Sequence, residues 1–126
     1  MKLVVAIAMG GALGAVARHF VAAQMAHLLG SGFPYGTLTV NVVGSFIMGV
    51  LVEVMALAWS PSLELRAFMT VGALGAFTTF STFSLDSMVL FERGALGAAL
   101  LYALLSVVLS ITALFAGLAL IRAAFA

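Results

Sequence analysis

The chain has 126 residues, 65% of them apolar and only 7% charged, with a mean hydropathy of +1.32. Soluble domains carry about a quarter charged residues, so five basic and four acidic side chains cannot coat a water-facing globule, which excludes a soluble enzyme or a nucleic-acid binder. The formal net charge of +1 selects no partner, and the absence of cysteine removes disulfides, thiol catalysis and zinc-thiolate sites.

A membrane-spanning helix takes about 20 apolar residues at roughly 1.5 Å of rise each. Four such stretches fill the sequence, so the expected architecture is an all-α integral membrane protein, a single four-helix transmembrane domain over residues 1–126. The first span covers about residues 3–29. Its uncharged stretch before Arg18 is long for the hydrophobic region of a signal peptide, and no cleavage pattern follows, so it is read as a retained span. Gly30 to Phe33 form a linker, and Pro34 suits the first turn of a second span over about residues 34–57. Trp59, Ser60, Pro61 and Ser62 make a turn with an interfacial aromatic, after which the third span covers about residues 65–91 and the fourth, free of charge, about 96–121.

Four spans place Lys2, Arg66 and Arg122 on one side and Arg93 on the other, a bias small enough to leave insertion in both orientations open. Gly10 and Gly14, and Ala113 and Gly117, stand four apart, a spacing that lets helices approach closely in lipid. Packing within one chain is the simpler reading of each pair. So small a unit has little room for an internal pathway, so self-association is expected as well.

The third span carries the feature that hydrophobicity does not require. Thr78, Thr79, Ser81, Thr82 and Ser84 crowd into one stretch, preceded by Gly72 and Gly75, and this density predicts a break in the helix at bilayer depth. Non-helical backbone survives there only inside protein or along a water-filled cavity, and broken helices build ion sites. A continuous helix whose hydroxyls bond the preceding turn is the competing reading. Phe80 and Phe83, three apart, share a helix face. A ring presents a positive edge, which offers an anion a weak, dry contact; ordinary packing is the alternative.

Thr37, Asn41 and Ser45 form a stripe on the second span, and Tyr102, Ser106 and Ser110 form another on the fourth. Each stripe alone reads as interhelical hydrogen bonding, but together with the broken third helix they outline one polar track of donors without fixed negative charge. Such a lining suits an anion or a small neutral solute, whereas a cation pathway calls for carboxylates or inward carbonyls. Arg18 lies about 12 residues, roughly 18 Å, from the loop at Gly30 and is expected to face a water-filled vestibule, where it raises local anion concentration. Glu53, Asp86 and Glu92 sit near span ends and read as exposed at the interface. His19 and His27 have no third ligand for a metal and receive no role. No nucleophile with a base and an orienting group can be assembled, so an enzyme is not expected. The rival transport reading is a small proton-coupled multidrug exporter, which needs an intramembrane carboxylate that the first span lacks.

The run Gly75, Ala76, Phe77, Thr78, Thr79, Phe80, Ser81, Thr82, Phe83, Ser84, the segment from Gly36 to Phe46, and Gly14, Ala15, Val16, Ala17, Arg18 resemble the CrcB or Fluc fluoride channel family, in motif order and across the chain. The resemblance implies a bacterial inner-membrane channel giving passive fluoride export, built as an antiparallel, dual-topology homodimer with two pores. It further implies that Phe80 and Phe83 meet fluoride with their ring edges and that Asn41 lines the pore. Ser81 and Thr82 then supply hydroxyls near the break, and Thr37, Tyr102, Ser106 and Ser110 form the polar track. The carbonyls of Gly75 and Thr78 are implied ligands of a structural sodium ion at the dimer centre, and Arg18 is the implied vestibule arginine. Asp86 stands where glutamate is more frequent in the family, and His19 where tyrosine is common.

Overall fold

The computed structural model describes residues 1–126 and is all helical. Helix α1 covers Lys2–Leu29 and α2 covers Tyr35–Leu57. The third hydrophobic segment is composite: α3 (Leu63–Ala67) runs into a π-helical stretch (Phe68–Leu74), then into the short α4 (Gly75–Phe77), and resumes as α5 (Phe80–Glu92). Helix α6 (Leu96–Ala124) completes the chain. All four segments are long and apolar enough to cross a membrane.

Local chemistry sets the ends of these helices. Gly30 and Gly94 take φ of +82° and +79°, conformations that side-chain-bearing residues rarely adopt, and they turn the chain after α1 and α5. Pro34 precedes α2, and the Ser62 hydroxyl accepts the Leu65 amide at 3.1 Å to cap α3.

Two close-packed helix pairs form the body. Helix α1 lies on the π-helical stretch: a methyl group on Gly10 would strike the Phe68 carbonyl, and one on Gly14 the Ala73 carbonyl. In the other pair, Gly49 of α2 meets the Leu114 carbonyl of α6, and Gly117 of α6 meets the Phe46 carbonyl of α2. The glycine spacings are therefore used for packing within the chain, where backbones must touch for dispersion and weak polar contacts to hold helices together in lipid.

Val40 and Tyr102 are fully buried at the centre, with Thr37 and Ser106 beside them. Only 14 of 126 residues are buried, while large apolar side chains such as Phe20, Leu104 and Phe115 cover the outside, as a chain surrounded by acyl tails requires. Glu53 departs from the interfacial exposure expected of it. Its side chain is only 8% exposed, because its position on α2 turns it toward α6, and Arg122 of α6 donates to its Oε2 from Nε at 3.0 Å and from Nη2 at 2.6 Å. A buried carboxylate without such a partner would be strongly destabilising.

Candidate functional site

The helix break expected from the hydroxyl run is present at Thr78 and Thr79, both of which adopt extended backbone. The Thr78 amide still bonds the Leu74 carbonyl at 3.1 Å, but no backbone hydrogen bond reaches from Thr79 or beyond to a carbonyl ahead of the break. The stretch before it is already loosened, since a π-helix pairs residues five apart and such turns concentrate at functional sites. The break thus frees carbonyls on one side and the first amides of α5 on the other.

Three side chains hold it open. Asn41 of α2 acts as a substitute peptide: its Nδ2 donates to the Thr79 carbonyl at 3.0 Å and its Oδ1 accepts the Thr79 amide at 2.7 Å. The Thr79 hydroxyl accepts the Thr82 amide at 3.2 Å and caps α5. From α1, Arg18 Nε donates to the Ala76 carbonyl at 2.9 Å, setting a cation against the carbonyl end of the interrupted helix. The carbonyls of Gly75 and Thr78 receive no hydrogen bond. Two free backbone oxygens three residues apart are the donor type a hard, oxygen-seeking cation selects, so these residues fit the implied sodium ligand set.

Beside the break lies an inner cavity of about 280 Å³, lined by Asn41, Ser45, Thr78, Thr79, Phe80, Phe83, Ser106, Val107, Ser110 and Ile111. None of these residues is charged. The hydroxyl oxygens of Ser106 and Ser110 are buried and have no hydrogen-bond partner within the chain. Hydroxyls in such a position are exceptional, because buried polar atoms are nearly always paired. The Phe80 and Phe83 rings sit 5.4 Å apart; Phe83 is half-buried, whereas Phe80 is 76% exposed on the outside of the single chain.

A second, outer cavity of about 300 Å³ opens toward the α1–α2 loop and includes Thr37, Asp86 and Arg93 in its wall. Tyr102 stands between the two. Its ring lies 5.2 Å from Phe83 of the inner cavity and edge-on, 5.5 Å, to Phe33 of the outer one, and its hydroxyl donates to Asp86 Oδ2 at 3.0 Å.

The structure thus brings Asn41, Phe80, Phe83, Ser106 and Ser110 together around one cavity, and puts Thr37 on the next. Ser81 and Thr82 line neither; Thr82 is engaged by the Thr79 hydroxyl and Ser81 is exposed. Arg18 lines neither cavity either, being turned onto Ala76. Two residues take parts that the sequence did not assign to them. Thr79 had a readable signal, a threonine three residues ahead of a capped amide. Asp86, expected to be exposed at the interface, is instead half-buried, because Tyr102 on another helix donates to it, a partner that no local pattern reveals.

The chain is similar to known proteins over most or all of its length. The family described as CrcB-like protein, Camphor Resistance (CrcB), matches residues 5–118. A fluoride-specific ion channel FluC from Rhodospirillum centenum is 57% identical over 126 residues, the full length of both chains. Its counterpart from Agrobacterium fabrum is 55% identical over 119 residues, covering 94% of this chain and 95% of the relative, and that from Chelativorans sp. is 55% identical over 92% and 93% of the two chains.

Proposed function

This chain belongs to the CrcB family, and we infer that it is a fluoride-specific ion channel whose pathway follows the two cavities along the broken third segment. The observation that carries the pathway is the pair of buried, unpartnered hydroxyls of Ser106 and Ser110, two residues in the wall of an uncharged cavity edged by Phe83. Fluoride holds its hydration shell strongly, so a dry passage must offer replacement donors while binding weakly enough to release the ion. Ser106, Ser110 and the unused N–H of Asn41 serve as donors, and the ring edges of Phe80 and Phe83 supply weak contacts between them. Tyr102 passes the ion between cavities, with Thr37 next along the track.

Export is passive in this reading, down the fluoride gradient across the bacterial inner membrane. A proton-coupled exporter needs an intramembrane carboxylate free to trade protons, whereas Glu53 is bound by Arg122 and Asp86 by Tyr102. The functional unit is an antiparallel homodimer with two pores. The outward position of Phe80 and the free carbonyls of Gly75 and Thr78 support it, as both features await a second surface. Gly75 and Thr78 of the two copies would hold a structural sodium ion, whose positive charge would tie the broken helices together. Arg18 and Asn41 keep the break in the conformation that exposes these oxygens, and Ser81 and Thr82 add hydroxyls at the mouth of α5.

Purified protein in liposomes is expected to dissipate a fluoride gradient without ATP or a proton gradient, leaving a chloride gradient intact. Chloride flux equal to fluoride flux, or a strict requirement for a proton gradient, would refute the reading.

A further inference from the structure

The outer cavity contains two charged side chains, Asp86 in its wall and Arg93 at its loop end. Asp86 presents a problem for an anion pathway. Its carboxylate is fixed by Tyr102, so it stands where a halide must pass from the outer cavity to the inner one. Without compensation, a negative charge in a confined, low-dielectric wall would repel the ion.

Arg93 supplies the opposite charge in the same cavity. Its Nη2 donates to the Gly32 carbonyl at 3.2 Å, which ties it to the α1–α2 loop, and it has no ion pair with any carboxylate. Glu92, its neighbour in the chain, is exposed and does not line the cavity. Arg18, the arginine of the family motif, is turned onto Ala76 and lies outside both cavities. The positive field at the entrance therefore comes from Arg93.

We propose that Arg93 is the anion-gathering residue of the outer cavity, offsetting Asp86 and raising the rate at which the anion reaches the Thr37 and Tyr102 entrance. This rests on the channel reading above. Arg93 acts through its field and its hold on the loop, so it is a positioning residue for entry, and the charge is the property that matters. A lysine at the position retains the charge and loses only the forked geometry.

Ionic strength separates this role from a structural one. At about 10 mM the Debye length is roughly 30 Å, and at about 1 M it is roughly 3 Å, so a charge that steers ions acts in the first condition and is silent in the second. Initial fluoride efflux from liposomes is measured at low, fixed fluoride with sodium gluconate setting the ionic strength. In the unsubstituted protein, efflux is expected to be about threefold faster at the low ionic strength than at the high one. Arg93→Gln should lose that advantage and match the unsubstituted protein at about 1 M, while Arg93→Lys should retain it.

A salt-independent rate in the unsubstituted protein overturns the proposal without requiring any variant. So does an Arg93→Gln deficit of equal size at both ionic strengths, which would mean that the residue only anchors the loop. Absence of fluoride efflux from the unsubstituted protein would instead refute the channel reading itself.

Discussion

Ser106 and Ser110 separate function from stability at the level of single side chains. An unpaired buried hydroxyl costs about 1–3 kcal/mol of desolvation, and neither serine recovers it from a partner in the chain. Ser106→Ala and Ser110→Ala should therefore leave the melting temperature in detergent unchanged or slightly raised, and yet slow fluoride efflux several-fold. A matched loss of melting temperature and flux would show that the hydroxyls serve packing. The phenylalanines lead to a second expectation. Phe80 is largely outside the single chain and Phe83 half-buried, so replacing either by isoleucine removes little core volume. Each substitution should reduce flux about tenfold or more, near 1.4 kcal/mol of barrier, with the dimer still assembling on a sizing column. Normal conduction by both variants would dismiss the ring-edge contact.

Among the helices, the glycines distinguish contact from spacing. A side chain at Gly14 or Gly49 meets backbone, which cannot move aside, whereas one at Gly11 or Gly97 meets nothing within 4 Å. Gly14→Val and Gly49→Val should abolish the monodisperse peak in detergent. Gly11→Ala and Gly97→Ala should preserve it, with a gain near 0.5–1 kcal/mol from the better helix former. Equal behaviour of the two sets would refute the close-packed helix pairs. The four hydrophobic segments were legible from apolar length, and the break from the hydroxyl density at Thr78 to Ser84, because both are local properties of the chain. The π-helical stretch Phe68–Leu74 was not legible; its close approach to α1 at Gly72 exists only in the folded chain. Nor were the Asn41 clamp on Thr79 or the Glu53–Arg122 pair, whose partners meet only after the helices pack. For the same reason the sequence placed Glu53 in contact with water, although the folded chain encloses it.

For the whole molecule, orientation is the decisive variable. Lys2, Arg66 and Arg122 lie at one end of the helix bundle and Arg93 at the other, a bias of two charges. A few added lysines should then commit every copy to one orientation, because positive loop residues resist translocation. Ser60→Lys with Glu64→Lys loads the end holding both termini, and His27→Lys with Glu92→Lys loads the opposite end. The chain has no cysteine, so Ala126→Cys provides a unique site for membrane-impermeant labelling that reports orientation directly. If the working unit is antiparallel, each charge-biased variant alone should label from one side only and conduct little fluoride. Co-expression of the two should restore flux, since each then supplies the orientation that the other lacks. Full conduction by either variant alone, with one-sided labelling, would mean that parallel copies or single chains suffice, and the antiparallel assembly would have to be abandoned.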